Sequence, residues 1–190
     1  HVWLSEIMLQ QTTVAAVVPK YESWMEVFPT PAALAAASSE EVMAQWSGLG
    51  YYQRARRLHQ CIKEVCELGG FPTTLEGLLN LPGLGPYTAA AVASICFERP
   101  ALAVDTNVVR VLYRYYALSY EPGHREADSL LRDRTRSVLE WAHPGELNQA
   151  LMELGASLCS VREPGCLLCP MGAGCEGRRA ESGPTAFPLK

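Results

Sequence analysis

Two carboxylic acids lie in sequence settings that favour opposite protonation states. Glu6 is enclosed in the apolar run VWLSEIML, where burial would raise its pKa and make it a general acid near neutral pH. Asp105 stands at the N-cap position before the helical pattern NVVRVLYRYYAL, and a helix N-terminus favours an ionised carboxylate that can stabilise or attack a cation. One protonated and one ionised carboxyl form the pair that cleavage of a glycosidic bond needs. Taken alone, a solvated Glu6 and an Asp105 that only caps its helix remain open alternatives.

Four cysteines near the end of the chain are spaced as C-x6-C-x2-C-x5-C. They are Cys159, Cys166, Cys169 and Cys175. Four thiolates in so short a segment can enclose a [4Fe-4S] cluster. A structural zinc site more often has two C-x-x-C pairs or histidine ligands, whereas this segment has one such pair and no histidine nearby. The spacing favours the cluster, with zinc and unliganded core thiols as the alternatives.

A tight turn between two predicted helices has the sequence LPGLG, which is the helix-hairpin-helix signature. Its glycines let backbone N–H groups at the start of the second helix face a phosphate. Such a turn contacts the nucleic-acid backbone and does not select a base sequence. We therefore predict phosphate binding by Leu81, Pro82, Gly83, Leu84 and Gly85, with an ordinary glycine-rich turn as the alternative.

Amide, hydroxyl and aromatic side chains stand next to two further predicted helices. Gln10, Gln11 and Thr12 end the exposed edge of the first predicted helix, and Gly50, Tyr51 and Tyr52 start the long helix that carries Arg54. Aromatic and amide groups beside arginine can stack on bases or wedge between them. Packing and an ordinary polar surface explain the same residues equally well from these segments alone.

The overall composition is that of a folded protein with a small negative charge. Of its 190 residues 48% are apolar and 19% are charged, and the formal net charge is −4. That charge argues against binding nucleic acid by bulk attraction, although arginines concentrated at 54–57 and 132–136 can still contact phosphates locally. No apolar run approaches the ~18 residues of a membrane span, and no leader precedes the first helix. We expect an intracellular protein whose natural chain extends beyond both ends of this sequence.

The cysteine count bears on the redox environment. Seven cysteines, four of them clustered, favour a reduced metal site over a disulfide framework. Cys61, Cys66 and Cys96 fall on apolar helix faces, and we predict that all three are buried hydrophobic side chains.

Apolar residues recur at helical spacing along nearly the whole chain, and strand-like alternation is hard to find. The sequence therefore predicts an all-α fold. Ser38 with Glu41, and Thr73 with Glu76, have the capping-box pattern of a helix start. The predicted helices span 2–18, ending before Pro19, then 21–28, a third beginning at Thr30-Pro31, 52–68, 86–97, 107–118, 126–141 and 146–158.

Six segments in this order resemble the catalytic part of the MutY family of adenine DNA glycosylases, within the helix-hairpin-helix glycosylase superfamily. They are LSEIMLQQT, GLGYYQRAR, LPGLGPYTAAAV, VDTNVVRVL, LNQALMELGASLC and the four-cysteine spacing. The resemblance implies two helical modules with a flipped base between them. The first, a six-helix barrel with the helix-hairpin-helix, would span 1–99. The second would span 100–190 and carry the [4Fe-4S] loop 159–175.

The same resemblance implies roles for individual residues. Glu6 would protonate adenine, Asp105 would stabilise or trap the sugar cation, and Asn107 would help to hold that site. Tyr87 stands where bifunctional relatives have a lysine for Schiff-base chemistry, so a strand-cutting step is not expected. Thr106 departs from the glycine common at that position, which puts the shape of the pocket in doubt.

The implied partner is double-stranded DNA that contains a mispaired adenine, bound by a monomer. Gln10, Gln11, Thr12 and Tyr51 would surround the base left behind, 8-oxoguanine or guanine, and Gln149 would contact the flipped adenine. Family members also carry a further C-terminal domain that helps to recognise 8-oxoguanine and an N-terminal segment with basic residues, and neither is in this sequence.

Three other functions are consistent with parts of the sequence. A thymine mismatch glycosylase of the same superfamily resembles the chain in LPGLGPYT and the cysteine spacing, but Glu6 argues against it. Tyr87 argues against a bifunctional enzyme like endonuclease III. A cluster-bearing DNA-binding module without activity is hard to reconcile with the presence of both Glu6 and Asp105.

Overall fold

The computed structural model describes residues 1–189, which form eleven α-helices and one 3-10 helix, with no β-strand among those residues. The predicted all-α fold is confirmed. Among the described residues no helix combines the length and apolar character that crossing a membrane requires. The helices are α1 (Val2–Leu9), α2 (Val14–Val27), α3 (Pro31–Ala36), α4 (Ser39–Gln45), α5 (Gln53–Glu67), α6 (Leu75–Leu79), α7 (Pro86–Phe97), α8 (Thr106–Tyr115), α9 (Arg125–Trp141), α10 (Pro144–Ser157) and α11 (Glu176–Arg179), and the 3-10 helix spans Pro184–Ala186.

The chain divides into two compact units, residues 1–97 and residues 98–190. The first unit contains α1 to α7, and the second contains α8 to α11.

Aromatic side chains and α5 form the core of the first unit. Trp24 packs edge to face against Trp46, with ring centroids 5.7 Å apart, and against Phe28 at 5.1 Å. The apolar face of α5 packs against α3 and α4. Residues 89–91 of α7 are buried alanines, and these small side chains allow α1 and α6 to pack closely against it.

Local capping patterns predict several helix ends correctly. The Ser38 hydroxyl accepts from the Glu41 N–H at 3.2 Å, and a Glu41 carboxylate oxygen accepts from the Ser38 N–H at 2.7 Å. The bond from the Ser38 N–H, together with a hydrogen bond from the Ser38 side chain, lowers the pKa of the Glu41 carboxyl, because both favour its ionised form. At α6 the predicted cap is off by one residue. Thr74, not Thr73, accepts from the Gly77 N–H at 3.1 Å.

The first predicted helix has the wrong length. α1 ends at Leu9, and Gln11 takes a left-handed conformation with φ of 55°. Helical periodicity misses this break because a distant side chain stabilises it. Arg54 donates to the main-chain carbonyls of Ile7, Met8 and Gln10.

Proline does not end the second helix. α2 runs through Pro19 to Val27, so the predicted break there and the separate helix 21–28 are wrong. Proline removes one N–H bond from a helix interior. Buried Val17 and Trp24 on either side of Pro19 keep α2 packed across that gap.

Only one of the three cysteines predicted to be core residues is buried. Cys61 is fully buried, and burial raises its thiol pKa to about 12. Cys66 and Cys96 are exposed, so that prediction is wrong for both. Each is the next-to-last residue of its helix.

The second unit is built around α8. Val108, Val111, Leu112 and Tyr113 are buried in one cluster with apolar side chains of α9 and α10. α10 lies close to α8 at Gly155, where an added Cβ would be 2.6 Å from the Asn107 Cβ. The contact is between the two helices themselves, so nothing flexible is available to move aside.

We expect Gly155→Ala to destabilise the protein by about 1–3 kcal/mol through overpacking at this helix contact. Helix propensity alone predicts the opposite sign, a gain of about 1 kcal/mol. Urea unfolding measures the difference, and an alanine variant more stable than the parent chain would show that α8 and α10 are not in tight contact here.

Candidate functional sites

Glu6 lies on the short helix α1 in the first unit. Trp3, Leu4, Ile7 and Met8 of this helix are buried, and Glu6 is half-buried beside them. The helix is held against α7 and α5. The carboxyl therefore stands on a well-packed element, and the predicted rise in its pKa stays a prediction.

The LPGLG turn separates into buried anchors and exposed glycines. Leu81 and Leu84 are buried, whereas Gly83 and Gly85 are exposed. Gly83 has φ of 79°, which glycine adopts readily. The turn leads directly into α7, which begins at the next residue, so the exposed glycines lie at a helix N-terminus.

Arg57 lies against this turn. A Cβ added at Gly83 would be 2.8 Å from the Arg57 Cβ, so the arginine stem covers the glycine while the residue as a whole is exposed. Next to them is a cavity of about 80 Å³, lined by Trp3, Ile7, Gln10, Gln53, Arg54, Arg57, Leu58, Pro82 and Gly83. The hairpin, α1 and α5 thus border one cavity, and all the residues lining it belong to the first unit.

Arg54 does not face solvent as a phosphate ligand would. Its two terminal nitrogens donate to six acceptors inside the protein, which are the carbonyls of Ile7, Met8, Gln10, Leu49 and Gly50 and the hydroxyl of Thr12. Partial burial lowers the pKa of the guanidinium, and the nearby Tyr51 phenol opposes that shift. The prediction that Arg54 contacts DNA directly conflicts with this geometry.

The other predicted base-contacting residues of the first unit surround Arg54. Gln10 donates to the Thr88 hydroxyl at 3.4 Å, and the Thr12 hydroxyl donates to the Gln10 carbonyl at 3.2 Å. Gln11 is exposed. Tyr51 is 63% exposed and has φ of 47°. The structure therefore places Gln11 and Tyr51 at the surface and the neighbouring Gln10 and Thr12 partly below it.

Asp105 caps α8 in the second unit and is held by two donors. Its Oδ1 accepts from the Val108 N–H at 2.7 Å, and its Oδ2 accepts from the Asn107 amide at 3.0 Å. The predicted N-cap is confirmed. Each carboxylate oxygen keeps further acceptor capacity, since an ionised carboxylate has about four lone-pair sites.

Asn107 is itself held by Arg110, which sequence reasoning missed. The Arg110 Nη2 donates to the Asn107 Oδ1 at 2.8 Å and to the Gly155 carbonyl at 2.7 Å, and its Nε donates to the Cys159 carbonyl at 2.8 Å. A continuous set of hydrogen bonds therefore runs from the Asp105 carboxylate to the first of the four clustered cysteines. The sequence offers one signal, because Arg110 and Arg114 are one helical turn apart in an otherwise apolar segment.

All four clustered cysteines line one cavity of about 30 Å³, together with Arg114 and Arg178. Burial raises the pKa of the Cys166 thiol, the other three thiols raise it further, and Arg178 opposes them. Among the described residues no group of three or more His, Cys, Asp or Glu is arranged to hold a single metal ion.

Arg114 is the second arginine that sequence reasoning missed. It is 3% exposed and donates to the Cys159 sulfur at 3.4 Å and to the carbonyls of Ser160 and Val161 at 2.6 and 2.9 Å. Its Nε donates to the Phe187 carbonyl at 3.2 Å. One buried guanidinium thus fixes the start of the cysteine loop and the end of the described chain.

Gln149 lies on the exposed side of α10, where its amide donates to the Gly145 carbonyl at 3.2 Å. The adjacent Asn148 is fully buried, accepts from the Ala103 N–H at 3.0 Å and donates to the Ala101 carbonyl at 2.8 Å. Asn148 therefore fixes the irregular segment that leads to Asp105.

The sequence matches the family described as "HhH-GPD superfamily base excision DNA repair protein" over residues 4–137. The all-helical fold and the hairpin turn agree with that match. The chain belongs to this superfamily, and the predicted relationship is confirmed.

Among curated proteins the chain is similar to adenine DNA glycosylases. It is 47% identical to the one from Rattus norvegicus over 181 residues, which is 94% of this chain and 35% of the relative. It is 46% identical to the one from Homo sapiens, over 94% of this chain and 33% of the relative. The chain thus spans about a third of the length of these relatives.

Two solved structures have a fold similar to that of this chain. A thermostable thymine-DNA glycosylase superposes with a TM-score of 0.76 at 30% identity, over 92% of this chain and 82% of that one. A non-covalent endonuclease III–DNA complex superposes with a TM-score of 0.72 at 25% identity, over 92% and 81% of the two chains.

We expect Arg110→Gln to lower the free energy of unfolding by about 1.5–3 kcal/mol, since it removes hydrogen bonds from a charged donor to partly buried acceptors. Arg132→Gln, at an exposed position of α9, is the matched control and should stay within about 0.5 kcal/mol of the parent chain. Urea unfolding compares the two variants. Equal effects would mean that the Arg110 bonds contribute nothing particular to this unit.

Proposed function

We propose that this chain is the catalytic part of a monofunctional DNA glycosylase, which hydrolyses the N-glycosidic bond of adenine mispaired with 8-oxoguanine or guanine. The observation that carries the proposal is the setting of Asp105. Its carboxylate is held in place by the Val108 N–H and the Asn107 amide, in a chain that is 47% identical to an adenine DNA glycosylase. Glu6 supplies the second carboxyl that the reaction requires.

In this reaction Glu6 donates a proton to a ring nitrogen of adenine. The bond between C1′ and the base then breaks, and its electron pair leaves with the neutral adenine. Asp105 stabilises the positive charge that develops on the sugar, either electrostatically or by bonding to C1′. Water adds to C1′, displacing Asp105 where a bond to it has formed, and gives its proton to the carboxylate left on Glu6, so the product is an abasic site and the acid is restored.

We propose that a monomer binds duplex DNA through the exposed part of the hairpin. Gly83 and Gly85 lie at the N-terminus of α7, and Arg57 lies beside them. Leu81 and Leu84 are buried, so their role is to anchor the turn, while Pro82 lies between them. A related fold has been solved as an endonuclease III–DNA complex.

The base opposite adenine would be contacted from the surface that carries Gln11 and Tyr51, with Gln10 and Thr12 behind it. Tyr51 offers an exposed ring for stacking. Gln149 is exposed on α10 and is assigned to the flipped adenine. Extrusion of that base costs a few kcal/mol, and less when the base is mispaired.

The four cysteines fit a [4Fe-4S] cluster. Cys159, Cys166, Cys169 and Cys175 line a single cavity, and two arginines beside it compensate thiolate charge. Such a cluster supplies four iron–sulfur bonds that cross-link the loop, and it can also take up or release an electron. The cross-linked loop would hold Arg162, Arg178 and Arg179 in place for contacts with phosphates.

A thymine mismatch glycosylase is the second candidate, because a thymine-DNA glycosylase has a similar fold at 30% identity. The carboxyl of Glu6 separates the two. Adenine leaves readily once protonated, whereas thymine has no comparably basic ring nitrogen.

Glu6→Gln should slow adenine release by roughly 10²- to 10⁴-fold, the usual contribution of a general acid, while duplex binding stays nearly unchanged. Single-turnover excision and a binding titration measure the two effects. Glu22→Gln, at an exposed position of α2, is the control. Substantial excision by Glu6→Gln would contradict the assignment of Glu6 as the general acid.

Asp105→Asn should cost a large part of the rate without unfolding the chain, because asparagine also caps a helix. Its thermal unfolding should match that of the parent chain. A variant that unfolds instead would give Asp105 a structural role only.

Tyr87 leads to a prediction about the product. Because tyrosine cannot form a Schiff base, the DNA strand should stay intact until alkali or heat cleaves the abasic site, and borohydride should trap little covalent complex. Tyr87→Lys is the variant in which trapping can appear. Efficient trapping by the parent chain would contradict a monofunctional enzyme.

The cluster predicts a brown protein with broad visible absorption and about four iron and four sulfide per chain. Cys166→Ser should bleach it and weaken DNA binding, whereas Cys66→Ser, at an exposed cysteine outside the loop, should change neither. Stoichiometric zinc without iron in anaerobically purified protein would overturn the assignment.

A further inference from the structure

Arg54 connects two irregular segments of the first unit. The first, the Gln10–Thr12 segment, follows α1. The second, the Gly50–Tyr51 turn, precedes α5. One guanidinium donates to Gln10 and Thr12 in the first and to Gly50 in the second, with distances to the Thr12 hydroxyl and the Gly50 carbonyl of 3.1 and 3.2 Å.

The same guanidinium also caps α1 at its C-terminal end. The carbonyls of Ile7 and Met8, which find no N–H donor within the helix at its C-terminal end, accept from Nη1 at 2.9 and 3.0 Å. A cation at this end also opposes the negative pole of the helix. Arg54 therefore fixes the end of the helix that carries Glu6.

Two aromatic rings bracket the guanidinium. Its central carbon lies 5.2 Å from the Trp46 ring centroid and 5.5 Å from that of Tyr51. Trp46 is fully buried and its Nε1 donates to the Gly50 carbonyl at 3.0 Å, whereas Tyr51 is 63% exposed. The exposed ring is thus tied to the core through Arg54.

Arg54 has no accessible N–H left for DNA. Both terminal nitrogens are saturated by the six acceptors, and the Nε is buried and unpaired among the described residues. A phosphate can gain a contact with this side chain only if the internal bonds break.

Gln11 and Tyr51 are held in the left-handed backbone region, with φ of 55° and 47°. A side chain makes that region unfavourable, so surrounding contacts must enforce it. Arg54 makes those contacts on the residues adjacent to both, which are Gln10, Thr12 and Gly50.

We infer that Arg54 is a positioning residue that fixes the Gln10–Thr12 segment and the Gly50–Tyr51 turn as one rigid surface, on which discrimination of the base opposite adenine depends. Only the dependence of base discrimination on this surface rests on the proposed function. The rigidity of the surface is a property of the free protein.

The test compares Arg54 with Arg57, its exposed neighbour on α5, using Lys and Gln variants of each in the full 190-residue chain. Hydrogen exchange without DNA measures the surface directly. We expect Arg54→Lys to speed amide exchange at residues 10–13 and 49–52 by roughly tenfold or more, because an ammonium with three donors cannot bridge six acceptors. Arg57→Lys should leave these amides unchanged.

Salt dependence of binding to undamaged duplex DNA separates positioning from phosphate contact. Arg57→Gln should lower the slope of log K against log salt by about 0.9, the value for one lost phosphate contact. Arg54→Gln should leave the slope nearly unchanged. If Arg54→Gln also lowered the slope by about 0.9, Arg54 would be a phosphate ligand and the inference would be overturned.

The rate of adenine release opposite 8-oxoguanine, divided by the rate opposite guanine, measures discrimination. Arg54→Lys should lower this ratio about tenfold, and Arg57→Lys should keep it. An unchanged ratio with wild-type exchange would also overturn the inference. If neither mispair is cleaved, the proposed function fails, while the exchange and salt measurements still decide the role of Arg54.

If Arg54→Lys unfolds the chain, Thr12→Val tests the same inference. It removes one of the six acceptors and leaves every charge in place, and Thr12→Ser is its matched control. Faster exchange at residues 49–52 in the valine variant alone supports the inference, because Thr12 reaches that turn through the shared guanidinium. Identical exchange in both variants contradicts it.

Discussion

Main-chain carbonyls that turn inward where a helix gives way to irregular structure need hydrogen-bond donors, and arginine supplies them in both units. Arg54 binds the end of α1 and the turn before α5, Arg110 binds carbonyls on α10 and in the cysteine loop, and Arg114 binds that loop again. A buried carbonyl without a partner costs about 1–3 kcal/mol. One planar guanidinium with five donors can satisfy several at once, more than the three donors of a lysine ammonium allow.

The residues assigned to chemistry depend on this constraint because they lie on or beside irregular backbone. Asp105 is held by Asn107, whose amide oxygen is held by Arg110. Gln11 and Tyr51 are exposed, yet their neighbours are fixed by Arg54. The internal arginines thus stabilise surfaces that remain open to a ligand, whereas Arg57 keeps its charge available at the surface.

Local sequence patterns predicted those features that depend on residues close together in the sequence. The capping box at Ser38, the cap at Asp105 and the all-α class follow from residue type and spacing, and all are confirmed. The break after Leu9 did not follow, because its stabilising donor lies 44 residues beyond Gln10 in the sequence. For the same reason the sequence could not show that Arg54 points inward while Arg57 stays exposed, or that Cys66 and Cys96 are exposed.

Base release from three duplexes under single-turnover conditions tests the central claim, that the two carboxyls of this chain cleave the glycosidic bond of mispaired adenine. The duplexes contain adenine opposite 8-oxoguanine, adenine opposite guanine, and thymine opposite guanine. The account predicts adenine release from the first two and intact thymine in the third. Release of thymine, or no release of adenine by protein that binds all three duplexes, would contradict it.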